Sequence, residues 1–161
     1  MSAARALGAG IAVAVFALDQ AAKFAVVHGF AAVGSEPRPL GPFLDLTLRL
    51  NPGISFSFFP QNTALGVGLL LAFTLGAAAL LGVWLWRTTD PLIGAGIGAI
   101  IGGAIGNAVD RFSYGAVVDF LDLHAFGRHF FVFNLADAAI NLGVALLILE
   151  SFLGARAGKS R

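Results

Sequence analysis

Residues 64–86 run for 23 positions without a charged side chain. As an α-helix that run is about 34 Å long, enough to cross the roughly 30 Å hydrocarbon layer of a bilayer. Inside hydrocarbon every backbone N–H and C=O must find its partner within the segment, so the run has little choice but a helix. Three further apolar stretches, residues 6–27, 91–109 and 130–152, have comparable length. With 58% hydrophobic and only 12% charged residues, the 161-residue chain reads as one integral membrane domain over residues 1–161. The expected fold class is an all-α membrane protein, a four-transmembrane-helix bundle with a small extracytoplasmic β element near residues 43–58.

The first apolar stretch begins after Arg5, as a signal peptide does, but Asp19, Gln20 and Lys23 follow it where a small-residue cleavage site would stand. We read it as a retained helix that carries Asp19 and Lys23 at i,i+4, the spacing of an ion pair. Pro37, Pro39 and Pro42 exclude a helix after it. Leu44, Leu46, Leu48 and Leu50 then alternate with Asp45, Thr47 and Arg49, the period of a strand. Asn51, Pro52 and Gly53 form a turn, and Ile54, Phe56 and Phe58 suggest a second strand folding back. Asn62 or Thr63 caps the second helix, and Trp84 and Trp86 anchor its far end at an interface. Gly94, Gly98, Gly102 and Gly106 form a small-residue face on the third helix, suited to a close helix neighbour.

Four spans put both termini on one side of the membrane, and the basic tail with Arg5 and Arg87 makes that side the cytoplasm. The end of helix one, the start of two, the end of three and the start of four then share the opposite face. Asp19, Lys23, Asn51, Asn107, Asp110, Arg111, Asp119, Asn134 and Asp137 all fall there. Acids gathered at membrane depth pair, line a wet cavity or do chemistry. Two carboxyl groups in one partly desolvated pocket share a proton, which arms one to activate water and the other to donate. Asp119 and Asp137 are the best pair. Asp119 lies in the connection before helix four, and Asp137 is expected about two turns inside a helix starting near His129 or Phe130. Asp110 reads as structural, in an ion-pair network with Asp19 and Lys23.

Other classes fit less well. A net charge of +1 with scattered basic residues argues against nucleic acid, and the lack of Cys removes thiolate chemistry. His124 and His129 stand in a polar loop without a metal-binding motif. A proton-coupled transporter would need polar groups continuing to the other membrane face, where the helices have almost none. A purely structural module would leave Asp137 seeking Lys23 or Arg111 as a partner.

Five motifs, DQAAK (19–23), NPGISF (51–56), GGAIGNAVDR (102–111), GAVVDF (115–120) and FNLAD (133–137), together resemble in type and order those of bacterial lipoprotein signal peptidases. The resemblance implies an intramembrane aspartic endopeptidase of the bacterial inner membrane. It would remove the signal peptide from diacylglyceryl-modified prolipoproteins by cutting just before the lipidated Cys. It implies Asp119 and Asp137 as the catalytic pair. Asn51, Gly53, Asn107, Arg111 and Asn134 would surround the pair and the substrate, with Asp19, Lys23 and Asp110 in support. The segment 43–58 resembles a surface cradle for substrate, and Ile54 stands where the family more often has Ala or Val. No metal or cofactor is expected. The partners are the lipidated precursor and membrane lipids, the working unit is a monomer, and the active site opens near the periplasmic face.

Overall fold

The computed structural model describes residues 2–34, 36–53 and 63–158. Its elements run α1 (Ala3–Val33), β1 (Arg38–Gly41), β2 (Leu44–Asn51), α2 (Ala64–Arg87), α3 (Pro91–Tyr114), β3 (Val117–Ala125), β4 (Arg128–Phe133) and α4 (Leu135–Gly158). All four helices are long and apolar enough to cross a membrane. Their starts follow local chemistry. The Thr63 hydroxyl accepts the Gly66 amide at 3.2 Å at the start of α2. The Asp90 carboxylate accepts the Leu92 and Ile93 amides at 2.7 and 3.1 Å, with Pro91 in the first helical turn of α3.

The bundle is built on α3. Of its most apolar window 56% is buried, against 17% or less for the other three helices. The glycine face explains how. A Cβ at Gly98 would collide with the Gly8 carbonyl oxygen of α1, and one at Gly103 would sit 2.5 Å from the Ala136 carbonyl oxygen of α4. Small residues thus let α1 and α4 approach α3 backbone to backbone from two sides.

The extramembrane part is larger than the sequence suggests. Instead of one hairpin over residues 43–58, four antiparallel strands form a sheet in the order β1-β2-β3-β4. The expected partner strand from Ile54 to Phe58 lies outside the described residues; β2 pairs with β1 on one side and β3 on the other. Phe126 and Gly127, both at positive φ, turn β3 into β4. At 31 residues α1 is roughly 46 Å long, well beyond the hydrocarbon thickness. Its last turns carry the sheet: Val26 and Phe30 pack with Phe120, flanked by Leu46, Leu48 and Leu121.

Three helix boundaries are corrected, the first being that α1 continues past residue 27 to Val33. Helix four does not start at residue 130, because 128–133 pair with β3 as a strand. Aromatic and β-branched residues, as in Phe130–Phe133, suit a pleated sheet better than a helix opening. Asp137 therefore sits in the first turn of α4 rather than two turns inside it. Helix three runs past Val109 to Tyr114, where Gly115 at φ 71° ends it.

Candidate active site

Asn134 fixes the start of α4. Its side-chain oxygen accepts the Asp137 amide at 2.9 Å, the reach of an N-cap residue. A second free amide of that first turn, from Ala136, is taken at 2.9 Å by the Asp19 carboxylate of α1. One end of α4 is thus capped by its own chain and by a side chain from the first helix.

Asp19 belongs to a buried ionic cluster. Lys23 Nζ stands 2.8 Å from Asp19 Oδ2 and 2.7 Å from Asp110 Oδ2, and donates to Asn107 Oδ1 at 3.0 Å. Asp110 also accepts the Val118 amide at 3.0 Å, which ties α3 to β3. Gln20 donates to Asp110 Oδ1 at 3.1 Å and to the Gly106 carbonyl at 3.2 Å. Asp19, Lys23 and Asp110 are all nearly inaccessible to solvent. A buried ion pair whose remaining lone pairs are filled is tolerable, whereas losing one member leaves an uncompensated charge.

Asp119 and Asp137 are treated differently. Asp119, on β3, accepts Nδ2 of Asn134 at 2.7 Å and Nδ2 of Asn51 at 3.0 Å. Asp137 accepts Nδ2 of Asn107 at 2.9 Å. No cation pairs directly with either carboxylate among the described residues. Both line one cavity of about 610 Å³ with Asn51, Pro52, Arg49, Asn141 and the aromatic wall Phe130–Phe133. Burial pushes the Asp119 carboxyl up to about 6, and the nearby Asp137 charge adds to the rise. The amides of Asn51 and Asn134 and the more distant Lys23 charge hold it down in part.

Arg111 bridges α3 and the segment after β2. It donates to the Gly53 carbonyl at 3.2 Å and to the Asn107 carbonyl at 3.4 Å. Gly53 N in turn donates to Asn51 Oδ1 at 3.0 Å, which orients the amide that holds Asp119. Every residue singled out from the sequence therefore falls in one of two adjoining networks. Gln20 and Arg49 were not singled out, whereas Asn141 was read with Asn134 and Asp137 as one polar stripe at i, i+3 and i+7 of helix four. Gln20, next to Asp19, has a signal in the polar face of α1. His124 and His129 are not loop residues: they face each other across β3 and β4, His124 beside Asp45 at 3.1 Å and His129 beside Asp122 at 2.9 Å.

Two carboxyl groups on one cavity, held by amides rather than cations, have the makeup of an acid–base pair that shares a proton. The comparisons point the same way. A protein-family model described as signal peptidase (SPase) II matches residues 11–153. A lipoprotein signal peptidase of Beijerinckia indica is 48% identical over 154 residues, covering 96% of this chain and 92% of that protein. One from Methylocella silvestris is 45% identical over 161 residues, with 98% and 94% covered. A solved structure of a bacterial membrane enzyme, obtained by the in meso method at 2.3 Å resolution, superposes with a TM-score of 0.79 at 27% identity, covering 94% of this chain and 90% of that one.

Proposed function

This chain belongs to the signal peptidase II family, a multi-pass membrane enzyme of the aspartic peptidase class, and from that premise we propose that it cuts diacylglyceryl-modified prolipoproteins just before the lipidated Cys, with Asp119 and Asp137 as the catalytic residues. The observation that carries the proposal is that these two carboxyl groups line one cavity and take hydrogen bonds from three asparagine amides. The precursor slides in from the bilayer with its acyl chains left among the lipids, and the lipid anchor sets the depth of the scissile bond.

The ionised carboxylate takes a proton from a water whose oxygen adds to the scissile carbonyl carbon. The protonated partner gives its proton to the carbonyl oxygen, which yields a neutral gem-diol. In collapse the C–N bond breaks, the diol loses a proton to the carboxylate now ionised, and the other carboxyl protonates the leaving amine. The dyad is restored, and the steps call only on carboxyl groups and water. Asn51, Asn107 and Asn134 orient the pair, and Arg111 with Gly53 braces Asn51. The enzyme sits in the bacterial inner membrane as a monomer, termini in the cytoplasm, cavity toward the periplasm.

The test is cleavage of a diacylglyceryl-modified precursor by purified protein in detergent with a chelator present. Wild type is expected to release the signal peptide at the bond before the Cys, and Asp119→Asn and Asp137→Asn to release none while staying folded. Undiminished cutting by either variant refutes the assigned pair.

A further inference from the structure

One cation on the wall of the cavity has no role in either network. A bulge in the β2–β3 register sets Arg49 directly across from Asp119, and its side chain lines the same cavity as Asp119, Asp137 and Asn51. It is exposed, and among the described residues its guanidinium forms neither an ion pair nor a hydrogen bond. A guanidinium that lines the cavity and pairs with neither site acid is free for what enters.

The sheet decides which part of a substrate meets it. β2 belongs to the sheet carried on the extension of α1, outside the four spans. A signal peptide is apolar and stays beside the helices, so the segment past the scissile bond is the one that runs along β2. Phe130, Phe131 and Phe133 line the same cavity, and their side chains offer a peptide no charged partner. Among the described lining residues Arg49 is the one cation, a fork of N–H donors matched to a carboxylate.

Resting on the function proposed above, we propose that Arg49 is a specificity-determining residue that favours an acidic side chain among the first residues after the lipidated Cys. An ion pair at a partly open site is worth about 5-fold in rate constant at most, a preference rather than a requirement.

The test uses the full-length enzyme in neutral detergent. Precursors are identical except for Asp, Asn or Lys at the second, third or fourth residue after the Cys, and kcat/KM is compared. Wild type is expected to prefer Asp over Lys about 5-fold at one of these positions, less so at high salt. Arg49→Lys keeps the preference, Arg49→Gln levels it, and Arg49→Glu reverses it. Cutting of the Asn precursor reports that each variant is folded. A wild type indifferent at all three positions overturns the proposal, as does a preference that survives Arg49→Glu. A change equal for all precursors that scales with phosphatidylglycerol in vesicles assigns Arg49 to a lipid headgroup and also overturns it. Loss of cutting of every precursor by wild type, or cutting retained in Asp119→Asn, defeats the underlying function and the proposal with it.

Discussion

Two pairs of aspartates lie side by side in this protein and are satisfied in opposite ways. Asp19 and Asp110 close on Lys23 at 2.8 and 2.7 Å, and the two also accept backbone amides from α4 and β3, with Gln20 on the other oxygen of Asp110. Asp119 and Asp137 take asparagine amides, and their cavity opens between sheet and helix. A cation commits a carboxylate to its charge and so to architecture. An amide supports the charge without fixing it, and the group stays able to gain and lose a proton. Asn107 joins the two, its oxygen on Lys23 and its nitrogen on Asp137.

The sharpest break of that contrast is by rate. Asp119→Asn or Asp137→Asn is expected to lower precursor cleavage by about 10⁴-fold, the upper range for a positioned proton-transfer group, with thermal unfolding in detergent showing an intact fold. Lys23→Met should do the reverse in kind. It strands two buried carboxylates and destabilises the fold by about 3–5 kcal/mol, read as a lower unfolding midpoint. A Lys23→Met protein that is as stable as wild type would erase the distinction.

The pH dependence sharpens it further. Asp119 titrates near 6 when folded and near its ordinary 3.8 when unfolded. Between these values the folded state binds a proton that the unfolded chain does not, so its contribution to stability increases as pH falls from about 6 to about 4. At neutral pH the buried charge costs about 3 kcal/mol. Asp119→Asn should be stabilised relative to wild type at pH 7, and the gap should close at pH 4. Unfolding midpoints of both proteins at the two pH values check the sign. Asn51→Ala, which removes an amide that favours the ionised form, should move the Asp119 titration above 6. The smallest effect is steric. Gly98→Ala pushes its methyl at the Gly8 carbonyl, costs about 1–3 kcal/mol and loosens α1 from α3.

The four spans, the glycine face and the meeting of the acids were legible in the sequence because each is a matter of period or topology. The sheet was not, for a local reason. In Val117–Ala125 the acids Asp119 and Asp122 interrupt apolar alternation, so a buried central strand reads as a polar connection. Phe130–Phe133 runs straight into the apolar α4, and hydrophobicity alone does not tell strand from helix there. The clue was Asn134, an N-cap residue in the middle of an apolar run, which places the helix start after it. Asp19, Lys23 and Asp110 were read as one ion-pair network, but that the same ammonium also meets Asn107 depends on distances no sequence carries.

The bond from the Ala136 amide to Asp19 spans 117 positions of the chain. Asp19, Lys23 and Asp110 lie on α1 and α3, ahead of β4 and α4 in the chain, so they can meet before the helix that carries Asp137 is in place. Until α4 docks, Asp19 Oδ1 lacks the Ala136 amide and the cavity lacks Asp137 and Asn141. On the proposed assignment of Asp119 and Asp137, the docking of α4 therefore completes the ionic cluster and the site in one step.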